Sequence, residues 1–168
     1  MNLSVRDATT SDLPAIRRLF NATIPTTTVA WRDHPADAEE VAAWFAERRA
    51  AGDPVLVAER DGAVIGYTCW APFRGGAHFP GYATTVEQTI HVDEAHHGHG
   101  VGRALVEALV DRARAAGVHA LVAGVDADNA ASYAFHRALG YEEVARMPEV
   151  GRKFDRWLDL VLLQRIVS

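Results

Sequence analysis

The sequence predicts one α/β (α+β) domain, a mixed central β-sheet flanked by helices, and three observations lead there. Short apolar or alternating runs that suit strands are interleaved with longer runs of helical period. The 168 residues, 49% of them hydrophobic, suffice for one sizeable core and are few for two. No internal repeat or low-complexity linker interrupts the pattern, so the expected domain spans residues 1–168.

Taken in order, Leu3 to Arg6 suits a first strand. Ser11-Asp12-Leu13-Pro14 reads as the capped start of a helix to about Asn21. After the threonine-rich Thr26-Thr27-Thr28 a second helix is expected from about Ala36 to Ala51, closed by Gly52. Pro54 to Glu59 and Ala63 to Trp70 read as strands joined at Asp61-Gly62, a dipeptide suited to a tight hairpin. Pro72 to Gly76 breaks the second of these and opens a loop to about Tyr82. Thr85 to Val92 alternates as a strand. A glycine-rich loop then runs into a helix with Val101, Leu105 and Leu109 on one stripe and Val106 and Val110 beside it. Ala120 to Val125 is the next strand, and a helix over Asn129 to Leu139 is expected with Asp128 as cap and Gly140 just past its end. Glu142 to Arg146 and Trp157 to Ile166 complete the pattern as strands.

Composition narrows the function. A formal net charge of -5 disfavours nucleic acid, which selects basic surfaces. No apolar run of 18 residues offers a membrane span. Met1 to Asp7 has neither the basic nor the apolar region of an export signal, and Cys69, the single cysteine, admits no internal disulfide. A cytoplasmic protein acting on a small molecule is expected.

The most informative stretch is Thr85 to Val92 with the loop that follows. Thr85, Glu87, Thr89 and His91 share one face of the strand, and Val86, Gln88, Ile90 and Val92 the other. The loop Gly98-His99-Gly100-Val101-Gly102-Arg103 exposes backbone N–H groups at the positive end of a helix, which suits phosphate. It lacks the third glycine of a dinucleotide fingerprint and the Gly-Lys-Ser/Thr of a P-loop. His97-Gly98-His99-Gly100-Val101-Gly102 instead resembles the pyrophosphate loop of the GNAT acyltransferase superfamily, Gln/Arg-x-x-Gly-x-Gly/Ala. Thr27-Thr28-Val29-Ala30-Trp31, Ala43-Trp44-Phe45, Gly66-Tyr67, Pro72-Phe73-Arg74, Thr85-Val86-Glu87 and Asn129-Ala130-Ala131-Ser132 resemble the phosphinothricin and methionine sulfoximine/sulfone N-acetyltransferases. Met147 to Asp159 is the most specific run of that resemblance.

The resemblance implies a GNAT fold and transfer of acetyl from acetyl-CoA to the α-amino group of a small amino-acid analogue, by direct attack in a ternary complex. Acylation of another small amine or a peptide N-terminus, or a coenzyme-A-binding regulator without chemistry, are the alternatives. An ammonium must lose a proton before it attacks, so a carboxylate within reach is required. Glu87 is the candidate base; the bland reading pairs it with an arginine. The resemblance implies that Ile90, His91 and Val92 hold the pantetheine arm, that His97 through Arg103 cradle the phosphates, and that Asn129 and Ser132 contact the cofactor. His136 occupies the position of the superfamily's tyrosine acid and is a candidate donor to the thiolate; otherwise it is a packing histidine. Thr85, Gln88 and Thr89 are, with Glu87, candidate acceptor-binding residues. Phe73 and Arg74 fall on the substrate loop, where Arg74 either pairs with a carboxylate or stays solvated. Trp31 either walls the pocket or supports the first helices. Homodimerisation is a further family trait.

His91, His96, His97 and His99 lie close together, but their spacing fits no zinc framework, and no metal is expected. Cys69 sits mid-strand without a nucleophile's motif and reads as a packing residue. His97 and His99 stand where relatives carry fixed cations, and an unperturbed imidazole titrates near pH ~6.5. Coenzyme A affinity is therefore expected to rise as pH falls from about 8 to about 6. Calorimetric titrations should show that slope in the native protein and its loss in the His97→Ala/His99→Ala double variant.

Overall fold

The computed structural model describes residues 3–75 and 78–168, so Gly76 and Ala77 of the substrate loop lie outside it. Seven strands form one sheet. They are β1 (Leu3–Asp7), β2 (Val55–Arg60), β3 (Ala63–Pro72), β4 (Thr85–Val92), β5 (Ala120–Asp126), β6 (Glu142–Lys153) and β7 (Arg156–Ile166). Their order across the sheet is β1-β2-β3-β4-β5-β7-β6. Every pairing is antiparallel except β4 with β5. Four helices complete the expected mixed α/β architecture: α1 (Leu13–Ala22), α2 (Ala38–Ala51), α3 (Val101–Ala115) and α4 (Ala130–Ala138).

Both faces of the sheet are covered, which is why β2 begins with the continuous apolar run Val55 to Ala58, each residue of it buried. Ile16 and Leu19 of α1 and Val41 and Phe45 of α2 pack on Val55, Val57, Tyr67 and Cys69 on one face. The stripe of α3, with Val106, Leu109 and Val110, packs on Leu56, Val86 and Leu121 on the other. Asp61 and Gly62 take φ of 52° and 81°, the left-handed pair that a two-residue hairpin turn requires.

Most boundaries differ from expectation by a residue or two, and three differences have a clear local reason. α2 starts at Ala38, not Ala36, with Asp37 as its cap: the Asp37 side chain accepts from the Glu40 N–H while the Glu40 carboxylate accepts from the Asp37 N–H. Asn129, not Asp128, caps α4, its Oδ1 accepting from the Ser132 N–H at 3.0 Å. The strand expected over Glu142 to Arg146 runs on to Lys153. Pro148 and Glu149 look like breakers but occupy a bulge between Met147 and Gly151, where Glu149 has φ 54° and its N–H donates to Asp159 Oδ1.

The β6–β7 hairpin carries the support for the loop between α1 and α2. Lys153, only 3% exposed, donates from Nζ to the carbonyls of Ile24, Thr27 and Ala30 at 2.7, 2.8 and 2.7 Å. Trp31 lies flat on Gly151, where a Cβ would come within 2.2 Å of the indole. The buried ammonium thus satisfies three carbonyls at once, and the loop rests on the hairpin. Lys153→Met leaves those acceptors without a donor and should lower unfolding stability by about 2 kcal/mol or more. Urea unfolding measures it, and an unchanged midpoint would remove this account.

Candidate active site

Pairing between β4 and β5 covers three positions, Thr85 with Ala120, Val86 with Leu121 and Glu87 with Val122, and then stops. β4 continues along β3 and β5 along β7, so the two strands part. Between them opens a cleft of about 230 Å³. One wall is Glu87 to His91, the other Ala123 to Asp126, and Val29, Asn129, Ser132 and His136 complete the lining. The β4 edge past Glu87 has no β5 ladder partner, leaving backbone donors and acceptors available to an extended ligand.

Glu87 opens onto this cleft. No lysine or arginine pairs with it among the described residues; the arginine-paired reading therefore has no support here. On the neighbouring strand stands Gly124, where a Cβ would lie 3.5 Å from Glu87 Oε1. Although its tip meets solvent, the surrounding protein desolvates the carboxyl and raises its pKa. A carboxylate without a partner and with raised basicity is suited to take up a proton.

Gln88 points to the opposite face and is buried. The Tyr141 hydroxyl donates to its Oε1, and its Nε2 lies 3.1 Å from His136 Nε2. His136 Nδ1 is 2.8 Å from the Ser132 carbonyl. A carbonyl only accepts, so the imidazole proton belongs on Nδ1, and Nε2 accepts from Gln88. Burial lowers the His136 pKa, which keeps the ring neutral. An acid role requires the other tautomer and rearrangement of both contacts.

The glycine-rich loop is built to approach an anion. Gly98 and Gly100 have φ of 74° and 79°, and α3 begins at the next residue, its first N–H groups without intrahelical acceptors. Gly102 lies against Phe135 of α4, whose ring a Cβ would meet at 2.9 Å. Arg103 is exposed beside this turn, whereas Val101 turns its side chain into the core. His97 and His99 fold onto their own loop, His97 Nε2 3.1 Å from the Val92 carbonyl and His99 Nδ1 2.7 Å from the His97 carbonyl. Phosphates would thus meet a helix terminus and backbone amides first.

The remaining expected residues are dispersed. His91 is buried, stacked on Tyr67 with ring centroids 5.2 Å apart; burial lowers its pKa to about 4, leaving its backbone for the cleft. Phe73 and Arg74 sit beyond the end of the β3–β4 ladder, packed on Tyr82 at 5.8 and 5.6 Å. They, Thr85 and Trp31 lie outside the cleft lining. Cys69 is buried, its thiol pushed up to about 12 by desolvation, as suits packing. Among the described residues no three His, Cys, Asp or Glu side chains gather as a metal site.

Two features escaped the sequence. Asp126, the last residue of β5, is buried in the cleft wall, where its carboxylate accepts from the Thr28 hydroxyl and from the Asp128 N–H. A carboxylate closing an apolar strand just before a helix cap was the available signal. A second cavity, of about 260 Å³, lies beneath α1 and α2 on the sheet face that carries Glu87, and its lining shares Thr89 with the cleft.

Comparison with known proteins agrees with this geometry. Residues 15–141 match the acetyltransferase (GNAT) family model. An L-methionine sulfoximine/L-methionine sulfone acetyltransferase of Pseudomonas aeruginosa is 42% identical over 98% of this chain and 94% of its own length. An L-amino acid N-acyltransferase of Escherichia coli K12 is 42% identical over 96% of this chain and 92% of its own. A GNAT phosphinothricin acetyltransferase from Sinorhizobium meliloti, solved with acetyl-CoA, superposes with a TM-score of 0.93 at 32% identity, covering 100% of this chain and 90% of that one. With the parted strands, the glycine loop at a helix start and the matched family model together, the chain belongs to the GNAT family of acetyltransferases.

Proposed function

We propose that this enzyme transfers the acetyl group of acetyl-CoA to the α-amine of a small amino acid or amino-acid analogue, with Glu87 as general base. The observation that carries the reading is Glu87 itself, a carboxylate without a cationic partner among the described residues, facing the gap between β4 and β5. Relatives acting on methionine sulfoximine, methionine sulfone and phosphinothricin support the acceptor class.

Acetyl-CoA supplies the acyl group as a thioester. The backbone of Ile90, His91 and Val92 holds the pantetheine arm, and Gly98 to Gly102 with Arg103 receive the pyrophosphate. Asn129, whose Oδ1 is committed to its cap, offers Nδ2 to the cofactor beside Ser132. Glu87 takes a proton from the substrate ammonium; the freed amine forms the new N–C bond as the C–S bond breaks. Backbone N–H groups of the β4 edge stabilise charge developing on the carbonyl oxygen. The thiolate takes its proton from solvent, because the only imidazole proton of His136 is held by Ser132. Arg74, exposed beyond the end of β3 beside Phe73, is the cation for the acceptor's carboxylate.

A regulator that binds coenzyme A without chemistry has no need of a desolvated, unpaired carboxylate in the cleft. Acylation of another small amine or a peptide N-terminus retains the same base and differs only in the acceptor. The single buried cysteine and use of acetyl-CoA accord with the cytoplasm, and no helix among the described residues is long and apolar enough to cross a membrane.

Two copies of the chain associate in this reading. Val144, Met147, Val150, Phe154 and Trp157 are exposed along the β6–β7 hairpin, apolar surface that a monomer rarely leaves open. Light scattering should give twice the chain mass, and Trp157→Lys should shift the protein toward monomer.

Glu87→Gln should lower kcat by about 10² to 10⁴-fold with coenzyme A affinity little changed in calorimetry. The base acts only when deprotonated, and burial raises its pKa. The acid limb of kcat/KM should therefore lie above the ordinary carboxylate range, with activity lost as pH falls through it. Glu87→Gln should abolish that limb. Unchanged turnover at saturating substrates would sink the assignment.

A further inference from the structure

Lys153 is the only lysine of the chain; the other 16 of its 17 lysines and arginines are arginines. The difference is chemical. A guanidinium stays protonated and delocalised, whereas a lysine that loses its proton is a primary amine, the group that thioesters acylate. In a member of the acetyltransferase family, Lys153 thus carries the one side-chain amine that an acyl-CoA could modify.

The fold withholds that amine. Lys153 is buried, and its Nζ donates to the carbonyls of Ile24, Thr27 and Ala30 at 2.7, 2.8 and 2.7 Å. An ammonium has three protons and no acceptor capacity, so every proton is engaged and the nitrogen has no lone pair to offer a thioester. Reaction needs both a path to Nζ and release of a proton, and the same carbonyls block each.

The carbonyls belong to one segment, residues 23–37, which lies between α1 and α2 outside any helix or strand. Asn21 ties its ends together, Nδ2 donating to the Ala36 carbonyl and Oδ1 accepting from the Ala36 N–H, each at 2.8 Å. Its middle rests on three supports. These are Lys153, the Asp126 carboxylate that accepts from the Thr28 hydroxyl, and Gly151 beneath Trp31. A segment pinned at its ends and held by a few side-chain contacts opens at less cost than the sheet behind it unfolds. When it lifts, the three carbonyls leave together and Nζ meets solvent.

We propose that Lys153 is a latent acylation site guarded by the α1–α2 segment: the closed segment protects the amine from acyl-CoA, and an acyl group gained while the segment is lifted prevents its return. In the step itself the exposed ammonium gives a proton to water. The amine then attacks the thioester carbonyl, the N–C bond forms as the C–S bond breaks, and coenzyme A leaves as a thiolate that solvent protonates. The product amide has one N–H where the ammonium had three, so two of the three carbonyls lose their donor, and the acetyl group takes up the space they filled. Val29 lines the catalytic cleft, so a segment that cannot reseat leaves that wall incomplete. Neither Glu87 nor any acceptor takes part, which keeps this inference separate from the reading of the catalytic site.

The test follows the peptide carrying Lys153 by mass spectrometry while the protein is exposed to N-hydroxysuccinimidyl acetate or to acetyl-CoA, natively and in denaturing urea. Native labelling should be slower than labelling in urea by about 10²-fold or more. Thr28→Val removes the hydroxyl tie to Asp126 and should speed native labelling about 10-fold, with thermal unfolding confirming that the variant is folded. Limited trypsin cleavage after Arg32, inside the segment, should rise in step with acetylation of Lys153. Equal labelling rates in native and urea-treated protein would overturn the guard. An unaccelerated rate in folded Thr28→Val would overturn the segment as the route, and acetylated protein as resistant to trypsin as the native form would overturn the loss of its seat. None of these readouts depends on turnover, so a failure of acetyl transfer to every acceptor would leave this inference standing.

Discussion

The parting of β4 from β5 after three paired residues is the constraint on which the site depends. Parallel strands normally continue their ladder, because an unpaired N–H or carbonyl away from water is costly. Here each strand keeps its antiparallel neighbour, β3 or β7, and only the shared edge is released. The sheet therefore stays intact as a scaffold while presenting a short row of backbone groups inside a cleft. Such groups are fixed in direction by the pairing behind them, which suits them to polarise a carbonyl without reorganising.

Strand alternation then divides the work. Glu87 and Thr89 reach the face beneath α1 and α2, where an acceptor can approach, and Gln88 reaches the face covered by α3 and α4. On that second face the Tyr141–Gln88–His136–Ser132 chain satisfies every polar group it contains and fixes the tautomer of the histidine. The face beneath α1 and α2 has no such network at Glu87 among the described residues. One strand thus holds a free carboxylate and a fully committed amide next to each other, separated by the sheet itself.

Much of this was legible in the chain, and the reasons for the remainder are physical. Alternation put Glu87 and Gln88 on opposite faces, the α3 stripe gave the helix behind the glycine loop, and Asp61-Gly62 gave the hairpin. Caps were less clear because Ala36-Asp37-Ala38 and Asp128-Asn129-Ala130 offer neighbouring alternatives, and a reciprocal pair of hydrogen bonds with Glu40 and a single one from the Ser132 N–H decide them. The expected strand stopped at Arg146, since the bulge that lets it continue is stabilised by Asp159, ten positions from Glu149. Lys153 and Asp126 were invisible as buried groups, because their partners, Ile24 to Ala30 and Thr28, lie about a hundred or more residues earlier in the chain. The cavity beneath α1 and α2 likewise arises from α1, α2, β3 and β4 together, and no single window of sequence contains it.

The lysine that anchors the α1–α2 loop also sets an order of events. Its three carbonyl acceptors emerge from the ribosome more than 120 residues before it does. Until Lys153 arrives on the β6–β7 hairpin, the segment carrying Thr28 and Val29 lacks its anchor, although the strand bearing Glu87 has long been synthesised. A nascent chain can thus bury much of its sheet while the cleft is still missing a wall. Closure of that wall is thereby deferred until the β6–β7 hairpin has been made and packs over the first loop.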